Sequence, residues 1–67
     1  MILNFNKKFY GLRAIKNACR AYNELAKFKI EINKKIIKVV LTNIDEEIED
    51  IIEDEFSNYV LAEMKNE

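Results

Sequence analysis

The side chains that most often carry chemistry are scarce in this chain. It has one cysteine, Cys19, one glycine, Gly11, and neither histidine nor proline. A thiol becomes nucleophilic when a base, a cation or a helix N-terminus stabilises its thiolate. Cys19 instead falls in an apolar series, Leu12, Ile15, Cys19, Tyr22 and Ala26, in a chain with no histidine to take its proton. It reads as a small structural hydrophobe. A zinc site of the usual kind wants several Cys or His ligands, and a phosphate-cradling loop wants several glycines. Glu55 sits within the apolar arc of Ile48, Ile51, Ile52 and Tyr59. Either a helix kinks near Asp54-Glu55 or Glu55 is a partly buried carboxylate, and no second carboxylate is placed to pair with it as acid and base. Tyr10, Tyr22 and Tyr59 read as aromatics at the edge of a core, with their hydroxyls at the rim. The expectation is a protein with no cofactor, metal or catalytic residues of its own, and therefore not an enzyme.

Length narrows the options further. The 67 residues make one domain, 1–67, and a chain this short buries only about 60% of the surface its unfolded form exposes. Small domains usually gain stability from disulfides, a metal or a partner. A single thiol rules out an intrachain disulfide, which leaves close packing or a partner. Hydrophobic residues at 49% and charged ones at 34% fit a globular chain rather than a disordered one. No stretch approaches the roughly 18 apolar residues that span a bilayer. The opening Met1-Ile2-Leu3-Asn4-Phe5 lacks the basic and long apolar regions of a signal peptide. The expected location is the cytoplasm, with no membrane association.

The elements that position these residues follow from a changing period. Ile2, Leu3 and Phe5 read as a first strand. From Leu12 the spacing turns to three and four, with Ala14, Ala18 and Ala21 between, which predicts an amphipathic helix of about four turns. Phe28, Ile30 and Ile32 alternate with Lys29 and Glu31, the period of a half-buried strand. Asn33-Lys34 reads as a tight turn, since Asn tolerates positive φ. Ile36 to Leu41 is almost continuously β-branched and apolar, with Lys38 as its one charge, so it reads as a central strand covered on both faces. Asn43 precedes Glu46 by three residues and Thr42 precedes Asp45 likewise, two options for a helix cap. Ile44, Ile48, Ile52, Phe56, Val60 and Met64 then step by four along a second helix of about twenty residues.

The order is β-α-β-β-α. A right-handed crossover with the third strand inserted antiparallel between the other two gives sheet order 1-3-2. The fold class is therefore α+β: a two-layer sandwich of a three-stranded mixed sheet with both helices on one face, ferredoxin-like without the last strand. Ile15, Cys19, Tyr22, Ile30, Val39, Leu41, Ile48, Ile52 and Phe56 are the expected core.

Charge is segregated along the chain. Residues 1–42 hold ten Lys/Arg against Glu24 and Glu31, a balance of +8, while residues 43–67 hold ten acids against Lys65, a balance of −9. Eight of those acids lie between Asp45 and Glu55. The simpler reading is internal neutralisation, with Arg13, Lys16, Arg20 and Lys27 beside the acidic side of the second helix. The functional reading is a pair of opposite patches that dock a partner. A nucleic-acid partner is not expected, because the chain is not basic overall and its aromatics fall at core-type positions.

Two segments resemble a known family. Phe9-Tyr10-Gly11-Leu12-Arg13-Ala14-Ile15-Lys16-Asn17-Ala18 is similar to the opening of the His-Xaa-Ser system family HxsD, in which a strand leads into a "Y-x-L-x-A-I-x-x-A" helix start. Glu55-Phe56-Ser57-Asn58-Tyr59-Val60-Leu61 resembles its "F-x-N-x-x-L" helix. The likeness spans nearly the whole chain, and its motifs are short and apolar. It implies a small accessory protein encoded beside radical-SAM enzymes that modify peptides, with the iron–sulfur chemistry in the partner.

The expected function is that of a non-catalytic adaptor docking on a larger enzyme. The alternative is a structural subunit of an unrelated complex or a homodimer. The expected contact residues are Ile2, Leu3 and Phe5 of an apolar edge strand, and Tyr59, Val60, Leu61 and Met64, where the winding stripe of the second helix cannot all face one sheet.

Overall fold

A computed structural model describes residues 1–66. The elements are β1 (Ile2–Asn6), α1 (Leu12–Ala21), β2 (Lys27–Ile32), β3 (Ile36–Thr42) and α2 (Ile52–Lys65). The sheet order is β1-β3-β2, with β3 antiparallel to both neighbours. The fold is thus the α+β arrangement expected, except that the sheet is antiparallel throughout rather than mixed, because β3 separates the two mutually parallel strands β1 and β2; no strand follows α2 among the described residues. Among the described residues no helix is long and apolar enough to cross a membrane.

Period-two alternation decides which side of the sheet is covered. Leu3 and Phe5 of β1 stand opposite Val39 and Ile37 of β3, and Phe28 and Ile30 of β2 stand opposite Leu41 and Val39. These residues share one face. Leu3, Phe5, Ile37, Val39 and Leu41 are buried there with Ala14, Ile15 and Ala18 of α1 and Ile52, Phe56 and Val60 of α2 in one cluster. Both helices therefore cover the same face. The other face stays open, carrying Ile2, Asn4, Lys38, Val40, Lys29 and Glu31 in paired rows. This corrects the reading of β3 as covered on both sides. Its apolar run is central in the sheet, but Ile36 and Val40 face outward, Val40 beside Lys29 of β2.

Phe56 is the hub of the core. Its ring lies 5.3 Å from Phe28 in a stacked geometry, 6.0 Å from Phe5 and 6.2 Å from Tyr22. Tyr22 also meets Tyr59 edge-on at 5.6 Å, tying the end of α1 to α2. Such aromatic pairs each contribute about 0.5–1.5 kcal/mol beyond burial. Of the expected core, Ile15, Val39, Leu41, Ile52 and Phe56 are buried, while Cys19, Tyr22, Ile30 and Ile48 are half-buried against it.

Three local expectations are corrected. First, α1 ends at Ala21 rather than near Ala26, because the Leu25 carbonyl accepts from the Asp45 amide at 2.8 Å and the chain starts pairing with β3 at Lys27. Second, Asn33 shapes the β2–β3 turn without positive φ. Its Oδ1 accepts from the amides of Lys35 (2.9 Å) and Ile36 (2.7 Å), an Asx-type closure. The Asn with positive φ is Asn43, at 52°. Third, and for that reason, Asn43 caps no helix. Residues 46–51 form turns, and α2 begins only at Ile52. Asp45 Oδ1 accepts from the Glu47 amide at 2.9 Å, and the like charges packed into this stretch disfavour a continuous helix. Glu55 then lies exposed in the first turn of α2, where carboxylates suit the helix dipole. Neither a kink nor a buried carboxylate is needed.

Candidate docking surfaces

The hydrogen-bond phase of the sheet fixes which backbone groups of β1 are free. Met1 and Leu41 exchange both bonds (3.0 and 2.8 Å), and the Lys7 amide donates to the Lys35 carbonyl at 2.9 Å. In an antiparallel ladder such pairs alternate, so odd-numbered residues of β1 bond to β3. Ile2, Asn4 and Asn6 direct their backbone groups off the sheet. The Asn6 carbonyl is taken by the amides of Phe9 and Tyr10, both at 3.0 Å. The outer edge therefore offers the N–H and C=O of Ile2 and Asn4 and the N–H of Asn6.

The two edges of the sheet differ in chemistry. β2 carries Lys27, Lys29 and Glu31, the kind of charge that discourages edge pairing. β1 reads Ile-Leu-Asn-Phe-Asn with no charge.

The expected contact residues divide. Leu3, Phe5 and Val60 are buried in the core, because strand and helix periodicity turns them toward the sheet–helix interface. Their side chains are not available to a partner, which corrects that part of the expectation. Ile2 is 55% exposed on the open face and Leu61 is 44% exposed. Tyr59 and Met64 are half-buried. β1 thus offers a backbone edge and Ile2, not an apolar face on both sides.

Charges do not neutralise one another across the helices. The ion pairs among the described residues are Lys29–Glu31 at 3.8 Å and Lys38–Glu31 at 3.9 Å, both on the open sheet face. Arg13, Lys16 and Arg20 line a shallow solvent-facing groove of α1 with Leu12 and Asn17. The helices meet through their apolar sides, so their charges point to solvent, and the expected internal neutralisation is not found.

The charges gather instead at opposite ends of the sheet. At one end Lys7 and Lys8 of the β1–α1 loop meet Lys34 and Lys35 of the hairpin around a depression that also includes Asn6. Lys7 Nζ donates to the Asn33 carbonyl at 3.4 Å and the Lys8 amide to Asn6 Oδ1 at 2.8 Å. Phe9, in the same loop, is 65% exposed. Sequence reasoning missed it, although its position directly after Lys7-Lys8, outside both periodic segments, was the available signal. At the other end, Tyr22, Leu25, Ile48, Ile51, Ile52 and Glu55 line a cleft of about 180 Å³. Glu55 is part of that lining, and all eight acids of the segment from Asp45 to Glu55 are exposed. Burial raises the Tyr22 phenol above its ordinary value, and the charge of Glu55 and then Tyr59 add to the effect.

Cys19 is half-buried, and burial pushes its thiol up to about 11. It is protonated at neutral pH, the reverse of an activated nucleophile.

No family model, curated protein or solved structure matches this chain.

Proposed function

We propose that this chain is a non-catalytic accessory domain that docks on a larger protein by taking one of that protein's extended segments onto the outer edge of β1. The observation that supports this is the contrast between the two edges. β2 is guarded by three charged residues, whereas β1 is uncharged and directs the free backbone groups of Ile2, Asn4 and Asn6 outward. Strand addition draws affinity from main-chain hydrogen bonds and specificity from alternate side chains. Ile2 on the open face is the side chain best placed to supply the latter. The protonated thiol of Cys19 accords with a role outside catalysis.

The HxsD resemblance names the candidate partner, a peptide-modifying radical-SAM enzyme, whose cofactor chemistry stays with that enzyme. Asn4→Pro tests the reading. The Asn4 amide lies on the outer side, so proline there removes no ladder bond and is tolerated as an edge residue. Co-purification with a peptide-modifying radical-SAM enzyme is expected for the wild type and lost in Asn4→Pro, with unchanged circular dichroism. Equal binding by both, or by neither, overturns it.

A further inference from the structure

The two ends of the molecule carry opposite charges, and each also presents an exposed apolar feature. The basic end presents Phe9, the most exposed of its large apolar side chains, behind Lys7 and Lys8 and beside Lys34 and Lys35. The loop that holds it is fixed from both sides, by the Phe9 amide on the Asn6 carbonyl and the Lys7 amide on the Lys35 carbonyl. The acidic end presents an apolar cleft whose rim includes Ile51, 50% exposed, and the Glu55 carboxylate. A cavity of about 150 Å³ admits a benzene-sized ring, and this cleft measures about 180 Å³.

Phe9 cannot fill the cleft of its own chain. It follows the last residue of β1, whereas Leu25 precedes β2 and Ile48 follows β3. These lie at opposite ends of the sheet, about 17–20 Å apart for strands of this length, in a molecule 32 Å long.

We infer that the cleft lined by Tyr22, Leu25, Ile48, Ile51, Ile52 and Glu55 receives Phe9 of a second copy of this chain, with Lys7, Lys8, Lys34 and Lys35 set against the acids of residues 45–55. The contact is heterologous, joining the head of one copy to the tail of another. Opposite patches of this kind steer encounter and fix orientation, while the ring supplies the buried anchor. It uses surfaces other than the β1 edge, so it stands independently of the docking reading.

Sedimentation equilibrium up to about 1 mM, the range of weak association, tests it with two variants of exposed residues, Phe9→Ser at the head and Ile51→Arg at the tail. The wild type is expected to self-associate more weakly as salt rises, and each variant alone to lose at least about tenfold in affinity. Mixing the two variants should restore a 1:1 complex, since Phe9→Ser keeps an intact cleft and Ile51→Arg an intact ring. Asn4→Pro should associate like the wild type, which separates this contact from pairing at β1. A monomeric wild type, variants that associate as well as it does, or a mixture that forms no complex overturns the proposal. So does a monomer whose cleft binds only a Lys-Lys-Phe peptide, which would assign it to another protein.

Discussion

The ring of Phe28 on β2 stacks on that of Phe56 on α2, with centroids 5.3 Å apart and planes 20° from parallel. Phe56 is fully buried and touches the rings of Phe5 and Tyr22 as well, so one side chain joins two strands and both helices. Phe56→Ala should cost about 3–5 kcal/mol. In a domain this small that loss is close to the whole stability. Circular dichroism should show no cooperative thermal transition, and a melt within a few degrees of wild type would contradict the central place of this ring.

Asn43 separates two roles that sequence alone cannot tell apart. At a φ of 52° the backbone favours Gly or Asn and penalises β-branched side chains. Asn43→Gly should be close to neutral, and Asn43→Thr should cost about 1–2 kcal/mol. A helix-capping Asn would behave otherwise, since Thr also caps. Chemical denaturation of the two variants decides between them.

Cys19 gives a pH signature. Its thiol is pushed up to about 11 from an ordinary value of 9.0, because burial disfavours the thiolate. The folded state therefore holds its proton more tightly than the unfolded chain. The associated stability is fully present below about pH 9 and is lost as pH rises through about 11. Labelling of the native protein by a thiol reagent should still be accelerating at pH 10. A plateau below pH 9 would mean an exposed or activated thiol.

Segregated charge predicts an unusual salt response. Like charges crowd each end of the molecule, and the described ion pairs are confined to Lys29, Glu31 and Lys38 at exposed positions. Such pairs contribute about 0–1 kcal/mol. Screening should relieve repulsion more than it weakens attraction, so the Tm of dilute protein should rise with added salt. A falling Tm would point to internal neutralisation.

Much of the fold was legible because its signals are local. The alternation of Phe28, Ile30 and Ile32, the β-branched run from Ile36 and the three-and-four spacing from Leu12 each belong to one element, and their order leaves few topologies. What misled was where tertiary contacts overrode local pattern. Asn43 and Glu46 imitate a capping box, but the Asp45 amide donates to the Leu25 carbonyl just before the neighbouring strand β2, so α2 starts later. Ile36 and Val40 look like core residues, yet β3 is covered on one side only. The candidate surfaces were legible in part. Ile2 and Leu61 are exposed as the pattern suggested, whereas Leu3, Phe5 and Val60 are core, since hydrophobicity alone does not say which face an apolar residue takes. Phe9 and the Ile48–Ile51 cleft depend on loop geometry that no period encodes.

The docking account is tested most directly by amide hydrogen exchange on β1, read residue by residue by NMR in the free chain and in its complex with the proposed radical-SAM partner. In the free chain the outward amides of Asn4 and Asn6 should exchange quickly, while those of Leu3 and Phe5, bonded to β3, are protected. In the complex Asn4 and Asn6 should become protected to the level of Leu3 and Phe5. A complex in which Asn4 and Asn6 exchange as fast as in the free chain would contradict strand addition at this edge.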